Sequence, residues 1–140
     1  MLKGISSILS PELLKILMEM GHGDEIVIGD GNFPAQSMGR RVVRLDGHGV
    51  PEILDAVMAL FPLDQFVERP AALMNVPDFE PEPPIWQTYR EIIGKHEELS
   101  GFELVERFSF YDRATMAYAI VATGESAIYA NIILKKGVIQ

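Results

Sequence analysis

The segment from residue 21 to residue 34, GHGDEIVIGDGNFP, is the feature that most constrains how this chain can fold. Within it, Glu25–Gly29 is a short, β-branched and almost wholly apolar run, which is typical of a strand covered on both faces of a sheet. His22 and Asp24 precede the run, and Asp30 follows it in a loop rich in Gly, Asn and Pro. The sequence therefore predicts one buried strand with polar clusters on either side, and we interpret the segment as the floor of a small-molecule site.

A helix is predicted directly before this segment. Ser10 is a typical N-cap residue, and Pro11 suits the first position of a helix. Gly21 is predicted to close the helix as a left-handed C-terminal cap, so that the helix ends where His22 begins. Apolar residues recur at helical spacing between these ends, namely Leu13, Ile16, Leu17 and Met20.

Strands and helices alternate along the rest of the chain. Strands are predicted at 41–45, 71–76, 102–108, 117–123 and 132–134, and further helices at 51–61, 85–99 and 111–116. Segment 102–108 alternates, which puts Arg107 on the face opposite Phe102, Leu104 and Phe108. This order predicts an α/β fold, with residues 1–140 forming one layered domain and a mostly parallel sheet covered by helices. Ligands of such sheets bind at the carboxyl ends of strands, and Asp30 lies just beyond one such end.

The composition excludes several classes of protein. A net charge of −8 and a pI of about 4.8 argue against nucleic acid or an anionic membrane as a partner. No apolar run approaches the roughly 20 residues that span a bilayer, and the N-terminus does not resemble a secretory leader. The absence of cysteine excludes disulfides, thiolate metal sites and a cysteine nucleophile, and it fits a reducing cytoplasm.

His22 is the first candidate for chemistry. A surface histidine at a helix terminus is an ordinary feature, and the residues alone leave that reading as strong as a catalytic one. In the catalytic reading, the helix C-terminus and Asp24 both favour the charged imidazolium, which is a usable proton donor near neutral pH. Gly21 and Gly23 would leave the ring open to a ligand.

Asp30 and Arg107 are the next candidates. A turn aspartate usually bonds its own backbone, but a carboxylate at this place could also accept hydrogen bonds from sugar hydroxyls. An arginine on an amphipathic strand is usually just solvated, but opposite an acidic loop Arg107 could donate to a hydroxyl or to a ring oxygen.

Metal, phosphate and nucleophile chemistry have little support. His22, Asp24, Asp30 and His48 could be imagined as metal ligands, but no two histidines have a recognised metal-ligand spacing. The glycines around the first strand match neither a phosphate-binding loop nor a dinucleotide fingerprint. No Ser-His-Asp arrangement and no G-x-S-x-G elbow is present.

With these residues in hand, the chain closely resembles, from end to end, the family of sugar mutarotases that includes L-fucose mutarotase and D-ribose pyranase. The motifs are weak singly and specific together. They are SPELL at 10–14, MGHGDE at 20–25, Asp30 with Phe33-Pro34, RF and FY at 107–108 and 110–111, TGE at 123–125, and YANIILKKG at 129–137. The fucose branch is favoured by MGHGDE, by Phe33-Pro34 and by FYDRA at 110–114.

The resemblance implies a cofactor-free isomerase that interconverts the anomers of a monosaccharide. His22 matches the proton donor of the family, and Asp30, Arg107 and the Tyr129-Ala130-Asn131 segment match its substrate-binding positions. Tyr111 is a weaker candidate, since a core tyrosine is equally expected there. The resemblance also implies a ring-shaped homo-oligomer, commonly a decamer of two pentamers, with sites near subunit contacts.

Three departures from the fucose branch bear on the choice of sugar. Asn32 and Gln36 stand where some fucose enzymes carry histidine, and Ala130 replaces a glycine and looks like the ribose branch. A D-ribose pyranase is therefore the nearest enzymatic alternative to L-fucose mutarotation. Two other classes also remain: a sugar-binding or regulatory module without turnover, and a metal-assisted lyase or isomerase.

Overall fold

A six-stranded sheet forms the centre of the molecule in the computed structural model, which describes all 140 residues. The strands are β1 (Glu25–Gly29), β2 (Val42–Leu45), β3 (Ala71–Met74), β4 (Glu103–Val105), β5 (Ala119–Thr123) and β6 (Ile132–Lys135). The helices are α1 (Pro11–Glu19), α2 (Ala35–Met38), α3 (Val50–Met58), α4 (Pro84–His96) and α5 (Arg107–Met116). No helix has both the length and the apolar character needed to cross a bilayer.

The strand order is β2-β5-β1-β6-β3-β4. Neighbouring strands pair in parallel except around β6, which runs antiparallel to both β1 and β3. The prediction of a mostly parallel α/β sheet is therefore confirmed. Because β6 is reversed, its first residue, Ile132, pairs with Ile28 near the carboxyl end of β1. The segment that enters β6 is thus brought to the same edge as Asp30.

Two hydrophobic cores lie on the two faces of the sheet. Ile26 and Ile28 belong to the larger core with α1, α3 and α4, whereas Val27 belongs to the smaller core with α2 and α5. All three side chains are fully buried. This alternation explains why β1 is apolar along its whole length: both of its faces are covered.

The start of α1 is as predicted, but its end is not. Ser10 Oγ accepts a hydrogen bond from the Leu13 N–H at 3.1 Å. The helix ends at Glu19, and the left-handed glycine is Gly23, with φ of 87°, rather than Gly21. The cap prediction at Gly21 is wrong because the Asp24 carboxylate accepts the Gly21 N–H at 2.7 Å and closes this turn by a side-chain bond.

The two glycines that flank His22 provide a matched test of this geometry. Gly23→Ala is expected to lower the free energy of unfolding by about 1 kcal/mol or more, because an L side chain in the left-handed region is strained. Gly21→Ala is expected to be tolerated, since an added Cβ would meet only Asp24 Oδ2, at 3.7 Å. Urea unfolding of both variants at equal protein concentration measures the difference, and equal stability of the two would contradict it.

The segment 102–108 also differs from its prediction. Only Glu103–Val105 is a strand, and Arg107 begins α5 instead of lying on a strand face. The Glu106 carboxylate accepts the N–H groups of Phe108 and Ser109, so this acid caps the helix and ends the strand early. A short helix, α2, likewise interrupts the predicted loop 30–39.

Candidate active site

A cleft of about 360 Å³ opens at the carboxyl ends of β1, β3 and β4. The segments that follow β1 and β4, and the one that precedes the reversed β6, converge there. The lining residues are Asp30, Asn32, Phe33, Met74, Arg107, Tyr111, Ile128, Tyr129 and Asn131. The fold thus brings together four of the five binding residues expected from the sequence, and Ala130 lies directly behind them.

Asp30 is fixed in the cleft by its neighbours. Its N–H donates to Asn131 Oδ1 at 2.7 Å, which joins the end of β1 to the start of β6. Its carboxylate accepts the Asn32 N–H at 3.0 Å. Burial raises the pKa of the Asp30 carboxyl above its ordinary value of 3.8, and this effect outweighs the opposing backbone hydrogen bonds from Asn32, Ala130 and Phe33.

Arg107 stands at the first turn of α5, beside the cleft. Its Nε donates to the Tyr111 hydroxyl at 3.2 Å, one helical turn further on. The guanidinium carbon lies 5.5 Å from the ring centroids of both Tyr111 and Phe108. These contacts hold the arginine over aromatic surfaces and leave its terminal nitrogens free to donate to a ligand.

Tyr129 and Ala130 contribute in different ways. Tyr129 lines the cleft with a left-handed backbone, at φ of 54°. Ala130 is fully buried and does not line the cleft, and its backbone is what approaches Asp30. The side chain that replaces the expected glycine therefore packs inward, away from any ligand in the cleft.

His22 lies at the other end of the sheet. Its Nε2 is 3.0 Å from Asp64 Oδ1, and its ring packs against Phe66 with centroids 5.4 Å apart. The His22 side chain is 44% exposed, whereas Asp64 is buried. Burial opposes the ionised form of Asp64, but hydrogen bonds from the Phe66 N–H and from His22 outweigh it and lower the pKa of this carboxyl.

Asp64 is a residue that sequence reasoning missed. Asp24 was expected to be the acid beside His22, but its carboxylate is engaged with the Gly21 N–H. Asp64 is 42 residues away in sequence from His22 and reaches it because the Asp64 N–H bonds the carbonyl of Lys135, at the end of β6. No local pattern signals that contact.

Within a single chain, His22 lies away from the cleft. His22 precedes the five-residue strand β1 and Asp30 follows it, so the strand alone separates the two ends by about 13 Å at roughly 3.3 Å per residue. His22 does not line the cleft. The single floor expected from the sequence is therefore divided, with the His22–Asp64 pair and the cleft at opposite ends of β1.

The remaining candidates are also separated. Gln36 lies outside the cleft lining and approaches Arg44, with Oε1 at 3.5 Å from Nη1. His48 pairs with Glu52 at 3.2 Å. The four side chains considered as metal ligands do not come together, and no group of three or more His, Asp or Glu side chains is arranged to hold a metal ion.

Comparison with known proteins gives matches over the whole chain. Residues 3–139 match the RbsD / FucU transport protein family. An L-fucose mutarotase from Actinobacillus pleuropneumoniae is 53% identical over 140 residues, covering 99% of this chain and 97% of the relative. The fucose mutarotase of Homo sapiens is 48% identical over 145 residues, covering 99% and 94%.

A solved structure is equally similar. The fucose mutarotase from Streptococcus pneumoniae, crystallised in complex with L-fucose, superposes with a TM-score of 0.95 at 50% identity. The superposition covers 99% of this chain and all of that one. The fold around the cleft and around the His22–Asp64 pair is therefore shared with a protein crystallised in complex with L-fucose.

Proposed function

Because this chain belongs to the RbsD / FucU transport protein family, we propose that it is an isomerase that interconverts the α and β anomers of L-fucose. The observation that carries this proposal is that about half of the residues are identical, over the full length, in proteins named fucose mutarotase. We also propose that it works in the cytoplasm, which the absence of cysteine fits.

The cleft has the chemistry that a deoxyhexose requires. Its volume is at the small end of the range for small-molecule sites, as suits a monosaccharide. Asp30 offers a carboxylate and Arg107 a guanidinium to hydroxyls or the ring oxygen, and Tyr129 and Asn131 add orienting groups. L-Fucose carries a methyl group in place of the hydroxymethyl group of an ordinary hexose, and the cleft offers that methyl the apolar side chains of Phe33, Met74 and Ile128.

The reaction needs proton transfers at two oxygens. The anomeric hydroxyl loses a proton while the ring oxygen gains one; rotation about the C1–C2 bond and reclosure on the other carbonyl face then give the other anomer. We assign His22 as the donor of the proton that the ring oxygen gains, and solvent water as the acceptor of the proton that the anomeric hydroxyl loses; both protons return on reclosure. An ionised Asp64 can only accept, so it keeps a proton on Nε2 of His22 and leaves Nδ1 to exchange the proton with the sugar. Asp64 is thus a positioning residue in this proposal.

A complete site then requires two copies of the chain. We propose that His22 of one copy meets the cleft of a neighbouring copy, so that each contact joins two different surfaces. Exposed apolar side chains beside the His22–Asp64 pair and beside the cleft support this: Phe66, 68% exposed, stands beside His22, and Ile128, 62% exposed, borders the cleft. Contacts between unlike surfaces close into a ring when the rotation allows, which agrees with the ring-shaped homo-oligomer, commonly a decamer of two pentamers, that the resemblance implies.

Selective saturation-transfer NMR on the anomeric protons of L-fucose tests the function. Saturating the α signal is expected to reduce the β signal much faster with enzyme than in buffer, and the effect is expected to survive EDTA. Binding without faster exchange would indicate a sugar-binding module. Faster pyranose–furanose exchange of D-ribose, without an effect on L-fucose, would indicate a pyranase.

The raised pKa of Asp30 predicts a pH dependence of sugar binding. The ionised carboxylate accepts hydroxyl hydrogen bonds, so affinity for L-fucose is expected to fall as the pH drops through this raised pKa, that is, at a pH above 3.8. For folding the sign is opposite, because the folded chain takes up this proton more readily than the unfolded chain does. Calorimetric titration across pH is expected to show this acid limb in the wild type and to lose it in Asp30→Asn; an identical limb in both would contradict the assignment.

A further inference from the structure

Tyr129 adopts a backbone conformation that non-glycine residues rarely hold. It is the one non-glycine residue of the chain with a positive φ, and it is followed directly by the buried Ala130 and Asn131. L residues in this region persist where the surrounding structure over-determines them, and such positions cluster at functional sites. Contacts with the surrounding structure must therefore hold Tyr129 in this left-handed conformation.

Two side chains of α4 hold the carbonyls of this segment. Trp86 Nε1 donates to the Tyr129 carbonyl at 2.8 Å, and the Tyr89 hydroxyl donates to the Ala130 carbonyl at 2.7 Å. Trp86 and Tyr89 are three residues apart, so they lie on one face of the helix and meet two consecutive peptide groups. Both side chains are almost completely buried.

The direction of these two carbonyls decides what the segment offers to the cleft. With the carbonyls drawn towards α4, the Tyr129 side chain lines the cleft and the Ala130 backbone faces the Asp30 carboxylate. The side-chain oxygen of Asn131 then accepts the hydrogen bond from the Asp30 N–H. Three substrate-binding groups thus share one backbone arrangement.

We propose that Trp86 and Tyr89 are positioning residues for sugar binding, acting by holding Tyr129 in its left-handed conformation; this inference rests on the proposed function. Apolar packing alone would need neither the indole N–H nor the phenol hydroxyl. Both polar groups instead donate to the backbone carbonyls of Tyr129 and Ala130. Without these donors the two carbonyls would be left without partners at a buried place, where little water can replace them.

Trp86→Phe and Tyr89→Phe test this role, because each removes a donor and keeps an aromatic ring. Each is expected to raise the dissociation constant for L-fucose about tenfold, as expected for one lost buried hydrogen bond. Ile93→Val is the matched control: it trims a fully buried side chain further along α4 without touching a donor. It is expected to bind L-fucose like the wild type. Affinity that is unchanged in both donor variants, or lowered equally in the control, would overturn the proposal.

Two further measurements separate positioning from general destabilisation. In a Tyr129→Ala background, Trp86→Phe is expected to weaken binding by clearly less than it does in the wild type, because one of the three groups that it positions is gone. An undiminished effect in that background would overturn the proposal. The crystal structure of Trp86→Phe is expected to show Tyr129 outside the left-handed region, and a retained φ near 54° would overturn it. That structure decides the matter even if the wild type neither binds nor converts L-fucose, an outcome that removes the proposed function.

Discussion

His22→Ala is expected to slow the exchange of L-fucose anomers by about 10²- to 10⁴-fold, the range that one positioned acid or base contributes. The substitution removes the imidazole and leaves the cleft residues in place, since His22 does not line the cleft of its own chain. L-Fucose is therefore expected to bind with nearly unchanged affinity while exchange falls towards the buffer rate. Saturation transfer measures the exchange, and calorimetric titration measures the affinity.

His48→Ala is the matched control, because this histidine is also partly exposed and also pairs with a carboxylate, that of Glu52. It is expected to exchange L-fucose at the wild-type rate. Asp64→Asn is expected to lie between the two, since it leaves His22 a neutral partner in place of the carboxylate. Unchanged exchange in His22→Ala would remove this residue from the mechanism.

The sequence predicted best those parts that local chemistry determines. β1 was recognisable because burial on both faces requires an unbroken apolar run. The start of α1 was recognisable because Ser10 and Pro11 each suit one position at a helix N-terminus. The carboxyl edge of the sheet was expected to carry Asp30, and the cleft is there.

The errors arose where one side-chain contact decides between two local structures. Gly21 and Gly23 both follow α1, and the bond from the Gly21 N–H to Asp24 decides which of them is left-handed. Arg107 was assigned to a strand because the alternation of 102–108 continues through it. The Glu106 cap, which ends that strand, has no periodic signature.

Contacts between residues far apart in the sequence could not be predicted from residue spacing. The pairing of His22 with Asp64 depends on how β6 and the segment after α3 are placed in the sheet, which no local spacing encodes. Trp86 and Tyr89 lie on the buried face of α4, but aromatic residues at helical spacing give no sign of their bonds to the carbonyls of Tyr129 and Ala130. The resemblance supplied the candidate residues, and the fold places His22 at the opposite end of β1 from the cleft.

His22→Ala and Asp30→Asn are each expected to slow anomer exchange, and together they are expected to restore each other's activity. His22→Ala keeps the cleft and lacks the proton donor, whereas Asp30→Asn keeps the donor and lacks the carboxylate of the cleft. If each site takes His22 from one copy and the cleft from the next, a mixed ring contains some sites in which both parts are wild type. With random order and equal amounts, about one quarter of the sites are complete, because each contact between unlike surfaces samples the two chains independently.

The decisive measurement is L-fucose exchange by oligomers assembled from both variants. The two chains carry different affinity tags, are co-expressed and are purified through both tags in turn, and native mass spectrometry verifies that they are mixed. Exchange at about one quarter of the wild-type rate, far above either variant alone, is the result we expect for sites shared between copies. Exchange no faster than the average of the two separate variants, in oligomers that contain both chains, would contradict the shared site.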